Sequence, residues 1–416
     1  MSAPGTLAAA LVEAAPLVAG VASGRSLANQ VLAPAVLDLT YATLRRYGRL
    51  PAIVAALSRR GRPDALLDAL LWCALYALES GRYADYAVVD QAVRACGLLE
   101  RWPAKGYVNA VLRGFLRQRT ALEARLERDP EARFQHPTWW LELLRAAYPQ
   151  AWEMVAAAGN AHPPMCLRVN RRRTGVAEYR AKLAAQGIAA RAIGEDGVLL
   201  ERPLPVMRVP GFESGEASLQ DAGAQRAAHC LDLRPGQRVL DACAAPGGKS
   251  AHILELAEVE LTALDIDAER AARIGRALER LGLAAARVVT GDAAAPAAWW
   301  DGVAYDRILA DVPCSASGIA RRRPDAKWLR RAQDVPAFAA RQAQMLAALW
   351  PLLAPGGKLL YATCSVFPQE NDAVVAAFLA AHAPARRLAL PDGAEAQWLP
   401  DAQHDGFYYA LIEKPA

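Results

Sequence analysis

The chain has 416 residues, and 48 Lys and Arg against 43 Asp and Glu give it a formal net charge of +5. At about 100–200 residues per domain this length predicts two to four domains. A composition of 54% hydrophobic and 22% charged residues excludes a disordered chain. The cysteines form no CxxC pair, which excludes a zinc ribbon and a dense disulfide framework. We therefore expect no bound metal and a reducing compartment. The seven cysteines are Cys73, Cys96, Cys166, Cys230, Cys243, Cys314 and Cys364.

The first apolar stretch, residues 7–21, is predicted to be neither a signal peptide nor a membrane span. Glu13, Pro16 and Gly20 interrupt it, whereas a membrane span needs about 20 consecutive apolar residues. A signal peptide carries basic residues before its apolar segment, but the first basic residue here is Arg25. We therefore expect a cytoplasmic protein that does not contact a membrane.

The positive charge is concentrated at the front of the chain. Residues 1–150 carry a net charge of +5 and residues 151–215 carry +3, whereas residues 216–416 carry −3. This asymmetry suggests that the front half contacts a polyanion. The alternative is that the arginines only reflect the general composition of an alanine-rich chain. The charge distribution alone supports the two interpretations equally.

The pattern of residues 27–128 is helical. Apolar residues recur at spacings of three and four, and almost nothing alternates with period two. We therefore predict an all-α bundle that ends near Pro130. The recurring apolar residues include Leu66, Leu67, Leu70, Leu71, Ala74, Leu75, Leu78, Val108, Val111, Leu112, Phe115 and Leu116.

A connector and a small mixed module follow the helical segment. Prolines divide residues 136–164 into two short predicted helices. Residues 166–170 and 197–201 are strand candidates, and residues 177–186 are a helix candidate, which together predict a small α+β module. The predicted domains of the chain are residues 1–135, 136–215 and 216–416.

Helix and strand patterns alternate from Ser218 onward. The strand candidates are apolar, which indicates a largely parallel, doubly wound α/β sheet of the Rossmann-like type. Ligands of such sheets bind beyond the carboxyl ends of the strands. The predicted strands are residues 238–243, 260–266, 287–290, 306–311, 358–363 and 407–412. The predicted helices are residues 248–257, 268–281, 337–353 and 371–382.

The turn after the first of these strands is suited to a nucleoside ligand. Residues 240–250 read LDACAAPGGKS, in which Gly247 and Gly248 allow the backbone to approach a ligand closely. The helix that follows points its free N–H groups at the same place. Lys249 is suited to an anionic group of the ligand.

Acidic residues end the next two strands. Asp265 ends the second strand, where an acid in such sheets typically binds ribose hydroxyls. Asp267 is the alternative ribose ligand, unless it caps the following helix. Asp292 ends the third strand and could contact an adenine edge. Together with the glycine turn, these loops predict a site for an adenosyl group.

Two cysteines stand at the carboxyl ends of neighbouring strands. DVPCSASG places Asp311 and Cys314 after the fourth strand, and YATCS places Cys364 after the fifth. A lone free cysteine is more often buried filler than a catalyst, but two at adjacent strand ends beside an adenosyl site indicate thiol chemistry. The cysteines predicted to serve in packing are Cys73, Cys96, Cys230 and Cys243.

A thiol beside a methyl donor suits the methylation of cytosine. Cytosine C5 is a poor nucleophile, but addition of a thiolate to C6 turns the ring into an enamine whose C5 attacks an electrophilic methyl group. Loss of the C5 proton and of the thiol then releases the product. Asp311 would hold N3 and the exocyclic amine, and the base must leave its stack, which favours single-stranded or flipped nucleotides.

The motifs of the chain resemble those of a known family. The match covers almost the whole length and is closest to the Fmu/Sun (RsmB-type) family of bacterial 16S ribosomal RNA cytosine-5 methyltransferases. The resemblance implies a C-terminal class I methyltransferase domain, S-adenosylmethionine as cofactor, and a monomer that acts on 16S ribosomal RNA. The similar segments are SLQDAGAQ (218–225), LDACAAPGGK (240–249), DRILADVPCSASG (306–318), RRRPDAKWLRR (321–331) and YATCSVFPQEN (361–371).

The resemblance also implies roles for individual residues. Cys364 in TCS corresponds to the nucleophile, and Cys314 in PCS corresponds to the thiol that assists product release. Val312 and Ser250 depart conservatively from the usual Ala and Thr. The implied S-adenosylmethionine contacts are Cys243, Ala244, Ala245, Pro246, Gly247, Gly248, Lys249, Asp265, Asp292 and Asp311.

The front half resembles the helical RNA-binding domain of the NusB antitermination factor, with VNAVLR (108–113) as its hallmark, and RVN (168–170) matches the family's middle module. Arginine binds phosphate and stacks on unpaired bases, although each cluster alone is equally consistent with a solvated surface. The predicted RNA-binding residues are Arg113, Arg168, Asn170, Arg171, Arg172, Arg173, Arg321 and Arg322. Further basic candidates are Arg45, Arg46, Arg59, Arg60, Arg117, Arg119 and Arg323.

Two other functions stay open at this point. DNA cytosine-5 methylation would place the nucleophile on the Pro-Cys turn, at Cys314, and the basic helical domain and Cys364 argue against it. A NusB-like RNA-binding factor with an inactive catalytic domain would need neither thiol, and the intact Asp265 and Asp311 argue against it as well. A comparison of DNA with RNA substrates and a measurement of cofactor binding distinguish these two functions from RNA cytosine methylation.

Overall fold

The computed structural model describes the chain in three stretches, residues 5–28, 30–58 and 64–416. The basic candidates Arg59 and Arg60 lie outside the described residues. The chain forms two compact units, which are Met1–Ala161 with Ala320–Ala332 and His162–Ile319 with Gln333–Ala416. We call them the helical unit and the sheet unit. The predicted connector helices belong to the helical unit, whereas the rest of the middle module belongs to the sheet unit.

The regular elements are numbered in chain order. The helices are α1 (Leu7–Ala22), α2 (Pro34–Arg45), α3 (Leu50–Leu57), α4 (Ala65–Glu79), α5 (Asp85–Leu98), α6 (Lys105–Leu126), α7 (Pro130–Phe134), α8 (Thr138–Ala147), α9 (Trp152–Asn160), α10 (Val176–Ala185), α11 (Ala222–Cys230), α12 (Gly248–Leu256), α13 (Ala268–Leu281), α14 (Pro324–Leu329), α15 (Asp334–Leu349) and α16 (Asp372–Ala381). The strands are β1 (Met165–Val169), β2 (Ala190–Ile193), β3 (Gly197–Leu200), β4 (Ala217–Leu219), β5 (Arg238–Ala242), β6 (Glu260–Asp265), β7 (Arg287–Thr290), β8 (Tyr305–Asp311), β9 (Leu353–Thr363), β10 (Arg386–Leu388), β11 (Gln397–Trp398) and β12 (Phe407–Glu413).

The apolar stretch at the start of the chain forms a buried helix of the helical unit. Thr6 caps α1 by accepting a hydrogen bond from the N–H of Ala9, and Leu11 and Val18 lie in the core. Helix α4 packs against α1, α2, α3 and α5, because it is apolar around most of its circumference. Within the described residues, no helix is both long enough and apolar enough to cross a membrane.

Residues 320–332 belong to the helical unit, although in sequence they lie between β8 and β9. Asp325 accepts a hydrogen bond from the Ser26 hydroxyl at 3.1 Å. The buried ammonium of Lys327 donates to Oδ1 of Asn160 at 2.7 Å. These partners are far away in sequence, so the local pattern of residues 320–332 did not predict their place in the helical core.

The smaller sheet of the sheet unit is the predicted α+β module. Its strands lie in the order β2-β3-β1-β4, all neighbours are antiparallel, and α10 packs beside β2 and β3. The predicted strands and helix of this module correspond to β1, β3 and α10. Strands β2 and β4 were not predicted, because β2 is a half-exposed edge strand without an apolar pattern and β4 has only three residues.

The larger sheet has the order β10-β12-β9-β8-β5-β6-β7, and β11 pairs beside β12. Strands β5 to β9 run parallel to one another, which confirms the predicted doubly wound core. The last long strand, β12, differs, because it returns antiparallel to β9 with Tyr408 opposite Thr363 and Glu413 opposite Lys358. The carboxyl ends of the five parallel strands lie at one edge of the sheet.

A buried ion pair joins the small sheet to helix α12. Arg168 of β1 and Glu255 of α12 form two parallel hydrogen bonds of 2.8 and 2.7 Å, and both side chains are at most 1% exposed. Nη1 of Arg168 also donates to the carbonyl of Gly248, at 2.6 Å. A bidentate pair of this kind fixes direction as well as distance. It therefore orients α12, the helix that follows the glycine turn.

A second buried cluster anchors the hairpin between β2 and β3. Oδ2 of Asp196 lies 2.7 Å from Nε2 of His229 and 2.9 Å from Nε2 of His252, and Arg171 binds the other carboxylate oxygen. Burial alone would raise the Asp196 carboxyl pKa, but the two imidazoles and Arg171 hold it well below its usual range. Burial lowers the pKa of His252 to about 3, so that its imidazole is neutral at neutral pH.

Replacing Arg168 with methionine is expected to destabilise the sheet unit by about 3–5 kcal/mol, because Glu255 then stays buried without its partner. Urea denaturation of the full chain, followed by tryptophan fluorescence, measures this change. The control is Arg387→Met, which removes a largely exposed pair with Asp372 and is expected to cost about 0–1 kcal/mol. Equal losses for the two variants would contradict a structural role of the buried pair.

Candidate active site at the carboxyl edge of the large sheet

The turn between β5 and α12 is shaped for close approach of a ligand. Gly247 has a φ of +99°, in the left-handed region that favours glycine, and a Cβ there would lie 3.1 Å from Cα of Ile274. Because this glycine is the N-cap residue of α12 and has no side chain, it leaves the first N–H groups of the helix uncapped. Cys243 also has a positive φ, and burial raises the pKa of its thiol well above the usual range.

The acid at the end of β6 is held by the backbone. The carboxylate of Asp265 is buried and accepts the N–H groups of Ala245 and Asp267, each at 3.2 Å. It therefore ties the glycine turn to the end of β6. Asp267 caps α13 by accepting the N–H of Arg270 at 2.8 Å, which confirms the capping role predicted as its alternative.

Two further acids at this edge are paired with cations. Nζ of Lys249 lies 2.6 Å from Oδ2 of Asp311, so the glycine turn meets the end of β8. Burial alone would lower the pKa of Lys249, but the Asp311 carboxylate raises it. Asp292 accepts Nη2 of Arg341 at 2.6 Å on both oxygens. Both aspartates keep about a third of their side chains accessible, 27% and 33% respectively.

The two predicted thiols meet at the ends of β8 and β9. Sγ of Cys314 lies 3.3 Å from Sγ of Cys364, and Cys314 is 8% exposed whereas Cys364 is more accessible. The hydrogen bond with Cys364, burial and the nearby Glu370 carboxylate raise the pKa of the Cys314 thiol well above its usual range. The site therefore pairs a thiol that stays protonated with a neighbouring thiol that a ligand can reach.

The cysteines predicted to serve in packing lie within helices or beside the site. Cys73, Cys96 and Cys230 are buried in α4, α5 and α11. Burial raises the pKa of Cys73 and of Cys230 to about 12 in each case. A thiol with such a pKa is inert at neutral pH.

Two buried acids of the site were not predicted. Asp241 lies within β5 and accepts the Ser250 hydroxyl at 2.5 Å, and burial raises its carboxyl pKa to about 7. Glu370 accepts the hydroxyls of Ser315 and Ser365. An acid within an apolar strand, in LDACAAP, was the available signal for Asp241. No local pattern indicates the partners of Glu370, because they lie on two different turns.

Three of the predicted RNA-binding residues are buried. Arg168 is bound by Glu255, Asn170 donates to the carbonyl of Gly215 at 3.0 Å, and Arg321 is 2% exposed. RNA phosphates reach only side chains at the surface. These three buried side chains are therefore not placed for RNA contact in this structure, and the RVN motif joins segments within the sheet unit.

The other predicted RNA-binding residues lie at the surface to different degrees. Arg113, on α6 of the helical unit, is exposed, and so are Arg172 and Arg173, which follow β1 in the sheet unit. Arg171 is exposed as well, but its guanidinium is bound by acidic side chains of the β2–β3 hairpin. Arg322 is half-buried. Among the described residues, the exposed candidates whose guanidinium groups bind only amide or carbonyl oxygens are therefore Arg113, Arg172 and Arg173.

Comparison with known proteins matches family models to three parts of the chain. Residues 22–117 match the NusB family, and residues 136–207 match the ferredoxin-like domain of RsmF/B-like methyltransferases. Residues 228–413 match the 16S rRNA methyltransferase RsmB/F model. The predicted fold classes, a NusB-like helical domain, an α+β module and an α/β methyltransferase domain, are therefore confirmed.

Individual relatives cover almost the whole chain. Ribosomal RNA small subunit methyltransferase B of Pseudomonas putida is 44% identical over 97% of this chain and 98% of its own length. The crystal structure of PH0851 shares the fold with a TM-score of 0.80 over all of both chains at 21% identity. A methyltransferase homologue from Pyrococcus horikoshii has a TM-score of 0.61 at 26% identity, over 69% of this chain and 98% of its own. The chain belongs to the RsmB/F family of 16S rRNA methyltransferases.

Proposed function

We propose that the protein transfers a methyl group from S-adenosylmethionine to C5 of a cytosine in 16S ribosomal RNA, through a covalent bond between Cys364 and C6. The observation that carries this proposal is the 3.3 Å approach of Cys314 and Cys364 at the ends of two parallel strands. A thiol pair beside a nucleoside-binding turn suits a base that must be activated by addition of a nucleophile.

The residues around the glycine turn fit the proposed cofactor. S-adenosylmethionine supplies an electrophilic methyl group when bound. The left-handed Gly247 leaves a cradle that a side chain would fill, and the uncapped start of α12 suits a carboxylate. Asp292, a third of whose side chain is exposed, offers an acceptor for an adenine edge. Asp265 is buried beneath the turn and offers further lone pairs for ribose hydroxyls, and Lys249, paired with Asp311, offers a cation. We propose these residues, with 243–246 and Asp311, as the cofactor site.

Cys364 acts as the nucleophile in this proposal. Its thiolate adds to C6 of the flipped-out cytosine, and the electron pair of the C5–C6 double bond moves to C5, which then attacks the methyl group. Asp311, at the end of β8, accepts a hydrogen bond from the exocyclic amine beside N3, so that the ring faces the thiols. Addition splits one difficult substitution into easier steps.

Cys314 assists the release of product. After methyl transfer, the C5 proton passes to solvent water and its electron pair re-forms the C5–C6 double bond. The bond between C6 and Sγ of Cys364 breaks, and its electron pair stays on the sulfur as a thiolate. Cys314 lies beside that sulfur and holds a proton at neutral pH. Cys314 is therefore placed to donate this proton to the departing thiolate of Cys364.

Methylation of a 16S transcript tests the proposed function. The purified protein, tritiated S-adenosylmethionine and a 16S RNA transcript are expected to yield RNA whose nuclease digest contains labelled 5-methylcytidine. A DNA copy of the same sequence is the control and is expected to stay unlabelled. Label in another nucleoside, or in the DNA alone, would contradict the proposal.

We further propose that the enzyme acts as a monomer in the cytoplasm, where ribosomal RNA is found.

Neutralising Arg172 and Arg173 is expected to weaken RNA binding more at low salt than at high salt. Each lost phosphate contact reduces the slope of log affinity against log salt by about 0.7–0.9. Filter binding of a 16S RNA fragment at KCl concentrations from about 50 to about 300 mM measures this slope. The charge-matched control is the exposed pair Arg386 and Arg387, changed to glutamine, and an equal slope for both variants would exclude the first pair from RNA contact.

A further inference from the structure

The two turns that carry the thiols share one buried acceptor. Oε1 of Glu370 accepts the N–H of Ser315 at 2.8 Å, and Oε2 accepts the hydroxyls of Ser315 at 2.5 Å and of Ser365 at 2.6 Å. Ser315 directly follows Cys314, and Ser365 directly follows Cys364. One carboxylate therefore holds the residue after each cysteine.

The donors around Glu370 favour an ionised acceptor. Besides Ser315 and Ser365, the amide of Gln342 donates to Oε1 at 3.2 Å, so four donor groups surround two oxygens. An ionised carboxylate accepts at both oxygens, whereas a protonated one must donate at one of them. Burial raises the pKa of Glu370, and the serine and glutamine donors offset only part of that rise.

Glu370 is itself fixed in place by β9, the strand that leads into the Cys364 turn. Its carbonyl accepts the hydroxyl of Tyr361, on β9, at 2.6 Å. The next residue, Asn371, accepts the Thr363 hydroxyl at 2.6 Å and donates to the Ser365 carbonyl at 3.0 Å. All of these side chains are at most 1% exposed. The carboxylate is therefore anchored to β9 and reaches across to the turn after β8.

We propose that Glu370 is a positioning residue whose carboxylate holds the Cys314 turn against the Cys364 turn and so keeps the two thiols within proton-transfer distance. The proposal deepens the proposed function and rests on it for the catalytic consequence. Catalysis depends strongly on such geometry, since a misplacement of about 1 Å can cost 10²-fold in rate. The carboxylate charge has a second effect, because it contributes to keeping Cys314 protonated.

Formation of a disulfide between the two thiols reports their distance without RNA or cofactor. The azo compound diamide removes two hydrogen atoms from the thiols and becomes a hydrazine, while the Cys314–Cys364 bond forms. The sulfur atoms need to approach by only about 1.3 Å, since an S–S bond is about 2.05 Å long. Peptide mass spectrometry under diamide measures the rate of formation of this one bond.

Glu370→Ala is expected to slow disulfide formation and to lower kcat for methyl transfer by about 100-fold, while the KM for S-adenosylmethionine stays unchanged. Glu370→Gln keeps the side-chain shape and one of the two acceptor oxygens, so it is expected to form the disulfide faster than Glu370→Ala does. Because the amide removes the charge, the pH profile of Cys314 alkylation is expected to move to lower pH. The matched control is Asp372→Asn, an exposed acid two residues away, for which neither rate is expected to change.

Disulfide formation in Glu370→Ala at the rate of the unchanged protein would overturn the proposal. If Glu370→Ala does not fold, as judged by circular dichroism, Ser365→Ala decides, because it removes one donor between the two turns. Slower disulfide formation in Ser365→Ala supports the positioning role, and an unchanged rate overturns it. Absence of methyl transfer in the unchanged protein would instead contradict the proposed function and leave the disulfide result standing.

Discussion

Replacing Cys364 with alanine is expected to lower the rate of methyl transfer to 16S RNA by at least about 10³-fold. Without this sulfur no covalent bond to C6 forms, and C5 stays too poor a nucleophile to attack the methyl group. Single-turnover incorporation of labelled methyl, with enzyme in excess over RNA, measures the chemical step. The affinity for S-adenosylmethionine, measured by calorimetry, is expected to stay the same, because Cys364 lies on the turn after β9 and not on the glycine turn.

Cys230→Ala is the matched control for this experiment. It also removes a sulfur from the sheet unit, but the thiol lies buried in α11 and has a pKa raised to about 12. Methyl transfer by this variant is expected to match the unchanged enzyme. Full activity in Cys364→Ala would contradict the assignment of the nucleophile.

Replacing Cys314 with alanine is expected to stall the reaction after methyl transfer, with RNA covalently attached to the protein. Cys364 can still add to C6, but the group that exchanges a proton with its departing sulfur is missing. A slower-migrating band in a denaturing gel, which needs both RNA and S-adenosylmethionine and disappears on nuclease treatment, measures the adduct. Digestion to peptides is expected to place the nucleotide on Cys364.

The adduct also shows which cysteine is the nucleophile, and so distinguishes the proposed mechanism from the DNA-type mechanism in which Cys314 attacks the base. If Cys314 were the nucleophile, Cys314→Ala would form no adduct and Cys364→Ala would be the variant that retains one. The double variant Cys314→Ala/Cys364→Ala is the control and is expected to give no adduct at all. An adduct in the double variant would mean that another side chain attacks the base.

The strand ends of the large sheet were predictable from the sequence because apolar runs and small-residue turns are local patterns. Strands β5 to β8 begin and end within one residue of their predicted bounds. Parallel strands bring their carboxyl ends to one edge of the sheet. Because Cys314 and Cys364 follow consecutive predicted strands, they were predicted to lie close together. The 3.3 Å approach of their sulfur atoms bears out that neighbourhood.

The roles of charged residues were predicted less well, because a sequence does not show which charges are buried. Arg168 and Arg321 are of the residue type expected at phosphate contacts. However, Arg168 pairs with Glu255, and Arg321 is buried within the helical unit. Arg172 and Arg173, next to the buried RVN motif, are exposed. Burial depends on partners that are distant in sequence, and no periodicity identifies them.

The sequence by itself determined the fold classes, the glycine turn and the choice of two thiols among seven, because periodicity and motif spacing act over short distances along the chain. Only the tertiary structure decided that Arg168 orients α12, that residues 320–332 join the helical core, and that Glu370 connects the two thiol turns. Each of these contacts joins residues from separate elements. Their energies come from burial and from paired donors and acceptors, which exist only once the chain has folded.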